Sequence, residues 1–163
     1  MFNARDWLAA NIQAAAGVSD QSWETVAGFA LLWSLFEERM CGTEAKKDVL
    51  EDIARQYTAR TLTNDMQSAY AYWVDRYLIA EGAATKFDEL FDRLSGKADV
   101  QAILIDSSPA LDRQVFALLM IVYRLRNNLF HGVKRIETFN DQGENLQMAS
   151  RALASLLEHF GIH

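Results

Sequence analysis

Proline is nearly missing from this chain, with one residue in 163, and glycine is sparse at eight. A fold of many short strands needs more turn-formers than that, so a β-sandwich or barrel is excluded. Cysteine is reduced to Cys41. A lone thiol closes no disulfide within the chain and leaves no basis for a thiolate metal cluster; a reduced, cytoplasmic setting is expected. No stretch of about 18 uncharged apolar residues occurs, so no membrane association is expected. The opening Met1-Phe2-Asn3-Ala4-Arg5-Asp6 has no basic segment followed by an apolar one, so no signal peptide is expected. Histidine is scarce too, at three, and no Glu-x-x-His pair appears, which argues against a metal site; neither metal nor cofactor is expected. Positive charge is outnumbered, 16 Lys and Arg against 22 Asp and Glu, for a net −6. That balance opposes broad, charge-driven binding to nucleic acid.

Half of the residues are hydrophobic, and Ala and Leu are frequent, so the expectation is a single all-α domain over 1–163 with one core. A first helix is expected over 4–16, with Trp7, Leu8 and Ile12 on one side. A second runs from Ser19 or Ser22 to Met40 and is apolar nearly all round between Val26 and Phe36, as a central helix would be. Gly42 stops it and Thr43 is placed to cap a third helix to about Arg60. Thr63 or Asn64 opens a helix through Ile79, rich in Tyr70, Tyr72, Trp73 and Tyr77. Gly82 and Gly96 bound the next, from Thr85 to Leu94. A shorter piece covers 98–105. Ser108-Pro109 reads as a cap with proline in the first turn, opening a helix to His131 in which Leu111, Val115, Leu118, Val122, Leu125 and Leu129 recur at steps of three and four. A last helix covers 143–160. The two long apolar helices, about 22–40 and 109–131, are expected to pack on each other in an up-and-down bundle with the last alongside. The stretch 43–107 reads as an inserted set of shorter helices on one side.

Chemistry concentrates at the end of the second long helix. From Arg113 to Arg135 there are five basic residues, Arg113, Arg124, Arg126, Lys134 and Arg135, and no Asp or Glu. A phosphate would be tolerated there. Asn127 and His131 are four apart and share a face. Arg126 and His131 lie five apart, roughly 140° around the axis, and can converge on a ligand at the helix end. Arg presents a planar fork to phosphate oxygens. His can take or give a proton near neutral pH. These are the parts of metal-free RNA cleavage, in which a base takes the 2′-hydroxyl proton and a cation stabilises the phosphorane-like transition state. One helix end supplies one Arg and one His. A two-fold dimer would bring two sets together at one groove. Bland roles stay open: His131 before Gly132 can satisfy the last helical carbonyls, Arg126 with Glu37 can be a structural ion pair, and Asn127 can be a plain hydrogen bonder. Cys41 reads as a buried small residue, His159 and His163 as surface residues, and the tyrosine-rich set as core or interface more than an RNA-stacking surface.

The string Arg126-Asn127-Asn128-Leu129-Phe130-His131-Gly132, after Tyr123-Arg124-Leu125, resembles the R-x4-6-H signature of the HEPN superfamily, in its Apea-like branch. Phe29-Ala30-Leu31-Leu32-Trp33-Ser34-Leu35-Phe36-Glu37 resembles that branch's early helix, in which an acid follows an apolar stretch with Trp. The resemblance covers about 20–41 and 109–160. It implies a HEPN-like helical bundle, usually dimeric, with the motif helices meeting at a groove, and a metal-independent endoribonuclease of the kind found in toxin–antitoxin and phage-defence systems. By this resemblance Arg126 and His131 are the catalytic pair, Asn127 is the polar residue beside the Arg, and Glu37 is the acidic position. Arg113, Arg124, Lys134 and Arg135 would line the RNA path. An antitoxin or regulatory protein is an implied partner. Some members with related motifs bind RNA, a nucleotide or a protein without cutting, which is the alternative expectation.

Overall fold

The computed structural model of the chain describes residues 1–91, 95–130 and 136–162. All regular structure among them is helical. The elements are α1 (Ala4–Asn11), α2 (Asp20–Met40), α3 (Lys47–Arg55), α4 (Asn64–Val74), α5 (Ala83–Phe91), α6 (Lys97–Ile105), α7 (Leu111–Phe130) and α8 (Phe139–His159). Short 3-10 turns at Gln13–Ala15 and Ile136–Thr138 join α1 to α2 and lead into α8.

Local chemistry accounts for most of the ends. Asn3 caps α1 by accepting from the backbone N–H groups of Arg5 and Asp6. Ser19 caps α2 by accepting from the N–H of Ser22 at 3.1 Å. Asn140 on α8 ties the starts of α2 and α8 together: its Oδ1 accepts from Ser19 N and the Ser22 hydroxyl, and its Nδ2 donates to the Gly17 carbonyl at 2.9 Å. Thr63 caps α4, which passes directly into a π-helical turn, Asp75–Ile79. α1 buries none of its side chains, and its Trp7 is half exposed. An Arg5–Asp20 ion pair links it to α2.

Four expectations change. Thr43 does not cap a helix: it adopts a left-handed φ of +73° directly after Gly42 at +61°, and the two residues end α2. α3 starts later, after an extended Lys46, and stops at Arg55. α7 starts at Leu111 rather than at Pro109, because the Asp106 side chain accepts from Ser108 N and holds that segment in a turn. α8 starts earlier than expected, at Phe139.

The packing order also changes. α2 lies mainly against α8, not α7. α7 is buried on every side from Val115 to Val122, and its neighbours are α3, α6, α5, α4 and α8. Contact between α2 and α7 is made chiefly by long side chains, with Trp33 and Tyr123 rings 6.0 Å apart. The stretch 43–107 is therefore not an appendage. It places Leu50, Met66, Trp73, Phe91 and Val100 in the same core as α2, α7 and α8. A helix that is apolar all round needs a wall on each side, and the short helices provide it.

Candidate functional site

The last turns of α7 meet the C-terminal half of α2. Glu37 organises the meeting. Its Oε2 accepts from the Trp33 indole N–H at 3.2 Å, and its Oε1 from the backbone N–H of Ala45 at 3.3 Å. The Arg126 guanidinium approaches Oε2 at 3.7 Å. That spacing gives Coulomb attraction without a hydrogen bond. Arg126 donates instead to Asn127 Oδ1 at 3.1 Å. Its guanidinium carbon lies 5.9 Å from the Trp33 ring centre and 5.6 Å from that of Phe130, within reach of a cation–π attraction on both sides. The side chains of Arg126 and Glu37 keep 27% and 22% of their surface exposed. Arg126 Nε is buried without a partner among the described residues. A guanidinium carries five N–H donors. Among the described residues it makes one hydrogen bond, to Asn127, and its other contacts are Glu37 and the two rings.

The structure thus brings Arg126, Asn127 and Glu37 together. His131, Lys134 and Arg135 lie outside the described residues. The other two arginines named from the sequence are elsewhere. Arg124 is only 4% exposed, donates to the Ser95 carbonyl at 2.8 Å and stacks on Tyr123 and Phe91. Burial pulls its pKa down from the usual range. Two residues on a helix are separated by about 200°, so Arg124 and Arg126 face opposite ways and Arg124 serves the core. Arg113 is 13 residues before Arg126, roughly 20 Å along the axis. It lies over Phe116 and pairs with Glu51 of α3 at 3.4 Å. The acid-free window belongs to the linear sequence alone. In space Glu37 and Glu51 face it from neighbouring helices.

Sequence reasoning passed over Asn128. It is buried and donates to the Leu90 carbonyl at 3.1 Å, fastening the end of α5 to α7. Consecutive residues on a helix diverge by about 100°; only one of the paired asparagines can share the face of Arg126, and that phase was the available signal. Asn145 was passed over as well. It accepts from the Trp73 indole at 2.8 Å inside the core, so the tyrosine-rich helix is a buried wall here: Trp73 and Tyr77 are inside, Tyr70 and Tyr72 half-buried.

Cys41 is buried beside this site. Its thiol pKa is pushed up to about 12, first by burial and then by the negative charge of Glu37. A thiol so held is no nucleophile near neutral pH. His159 is exposed at the far end of α8, against the Tyr57 ring at 4.2 Å.

No protein-family model, curated protein or solved structure matches the chain.

The functional reading therefore rests on this geometry and on the motif string. Among the described residues no helix is long and apolar enough to cross a membrane.

Proposed function

We propose that the chain is a HEPN-like, RNA-binding domain that acts as a homodimer and cleaves RNA without metal. The observation that carries this reading is Arg126 near the end of α7, its guanidinium over the rings of Trp33 and Phe130 and beside Glu37, with part of its side chain open to solvent. A cation fixed before the substrate arrives costs little reorganisation when charge builds on a phosphorane. Arg126 would take the non-bridging oxygens of the scissile phosphate. His131, on the motif's spacing, would take the 2′-hydroxyl proton or give one to the departing 5′-oxygen. The 2′-oxygen bonds to phosphorus as the bond to the 5′-oxygen breaks, leaving a 2′,3′-cyclic phosphate and a 5′-hydroxyl. In-line attack needs base and acid on opposite sides of phosphorus. A two-fold pairing of α7 ends would supply both. Asn127 fixes the guanidinium plane, and Glu37 orients it.

Wild type and His131→Ala are to be compared on tRNA and mRNA with chelator present. Loss of cleavage in the variant is expected. Equal cleavage by both discards this active site.

One observation favours a second reading, a non-catalytic module holding RNA, a nucleotide or a partner such as an antitoxin. Glu37 stands 3.7 Å from Arg126, in a chain of net charge −6, and dilutes the local positive field. On that reading His131→Ala leaves binding intact while Arg126→Glu abolishes it.

A further inference from the structure

Nine phenylalanines are distributed very unevenly in this fold. Phe29, Phe36, Phe87, Phe91, Phe116 and Phe139 are buried. Phe2 near the chain end and Phe130 are the exposed ones. Phe130 is the last residue of α7, and 53% of its surface is open. An exposed phenylalanine on a surface helix end is unremarkable alone. Its neighbour gives it meaning. The Arg126 guanidinium carbon sits 5.6 Å from its ring centre, one helical turn back.

The ring is also the outer rung of a stack. Tyr123 lies 6.0 Å from Trp33, the Arg126 guanidinium lies over Trp33, and the same guanidinium lies over Phe130. The inner rung, Trp33, is sealed in the core. The outer one is not. With about half of its surface open, Phe130 can take a flat group arriving from solvent as an extension of the stack.

We infer that Phe130 is a stacking platform for a nucleobase of single-stranded RNA whose phosphate is held by Arg126. The inference rests on the proposed RNA-binding reading of the same site and adds the residue that selects substrate form. A nucleotide carries base and phosphate on opposite sides of one ribose. A cation beside an exposed aromatic ring offers a partner to each. Stacking on a side chain requires a base that is already splayed out, which loops and single strands provide and a duplex does not. The ring offers no hydrogen-bond donor or acceptor. It therefore distinguishes single-stranded from paired RNA, with weak preference among bases.

The test is a cycle between protein and RNA. Fluorescence anisotropy is to be measured with a short, uncleavable 2′-O-methyl single strand and with copies bearing one abasic ribose at each position in turn, for wild type, Phe130→Ala, Phe130→Trp and Arg126→Glu. In wild type one abasic position should cost about tenfold in affinity. Phe130→Ala should lose a similar factor on intact RNA and then show no further loss at that position. Phe130→Trp should restore both. The inference is overturned if Phe130→Ala binds intact RNA like wild type, or stays sensitive to every abasic position. It is also overturned if its loss of affinity coincides with a change of solution mass, which would make the ring a subunit contact. Failure of wild type to bind RNA would sink the RNA reading itself. Loss of binding with Arg126→Glu but not with Phe130→Ala would remove this inference alone.

Discussion

Arg126 and Arg124 show how far two identical side chains can diverge. Arg124 is enclosed and donates to the Ser95 carbonyl, while its Nε, like that of Arg126, is buried without a partner among the described residues. Arg124→Ala should cost about 3 kcal/mol in a denaturant titration, since it removes a buried stack and strands an acceptor. Arg126 is paired with Glu37 while each keeps about a quarter of its surface in contact with water. Solvent screens such a pair, so Arg126→Ala should cost less, about 1–2 kcal/mol. A loss equal to that of Arg124→Ala would make Arg126 a structural residue first. Cys41 yields a pH prediction. Its thiol titrates near 12 in the fold, against 9.0 ordinarily. Between those values the unfolded chain binds fewer protons than the folded one, so stability falls as pH rises through that window. Cys41→Ala should flatten that part of the unfolding-versus-pH curve; an unchanged slope would contradict the assignment. At this scale the sequence was a partial guide. The motif string led to Arg126 and Asn127 and the early-helix string to Glu37, and the structure brings the three together. Arg124 and Arg113 were misplaced because charge was counted along the chain without regard to helical phase or to what neighbouring helices bring.

At the scale of elements, helices with strong periodicity and a polar cap were legible. α2 begins after Ser19 and ends at Met40, and α7 follows its three-and-four spacing to Phe130. Boundaries set by backbone conformation were not. Thr43 has the composition of a cap and the φ of a glycine. A β-branched residue in the left-handed region is strained. Thr43→Gly should therefore stabilise the protein by roughly 0.5–1 kcal/mol, the relief exceeding the added freedom of the unfolded chain. A destabilised variant would show that the threonine side chain earns its position. Gly96 is the opposite case. It adopts φ +90°, and an added Cβ would run into the Met120 methyl. Gly96→Ala should lower the melting temperature by an amount matching about 1–3 kcal/mol. The π-helical turn Asp75–Ile79 left no mark in the sequence, since it continues the same periodic pattern as α4.

At the scale of the whole molecule, the all-α class followed from composition, and the layout did not. Hydrophobic periodicity reports that a helix face is buried, not which helix buries it. α2 was therefore paired with α7 on paper, while in space it lies on α8 and reaches α7 through Trp33 and Glu37. The consequence for the site is direct. Long side chains chiefly bridge α2 and α7 there, and the end of α7 presents Arg126 and Phe130 at the surface. On the proposed reading, this is where a phosphate would meet a cation of an acidic chain. The claim at the centre is that Arg126 meets the scissile phosphate of RNA. The most direct test is the mass of the new ends when wild type and a folded Arg126→Ala variant are incubated with one defined RNA and a chelator. The account predicts 2′,3′-cyclic phosphate and 5′-hydroxyl ends from wild type, with cleavage lost in the variant. Products ending in 3′-hydroxyl and 5′-phosphate, or undiminished cleavage by Arg126→Ala, would contradict it.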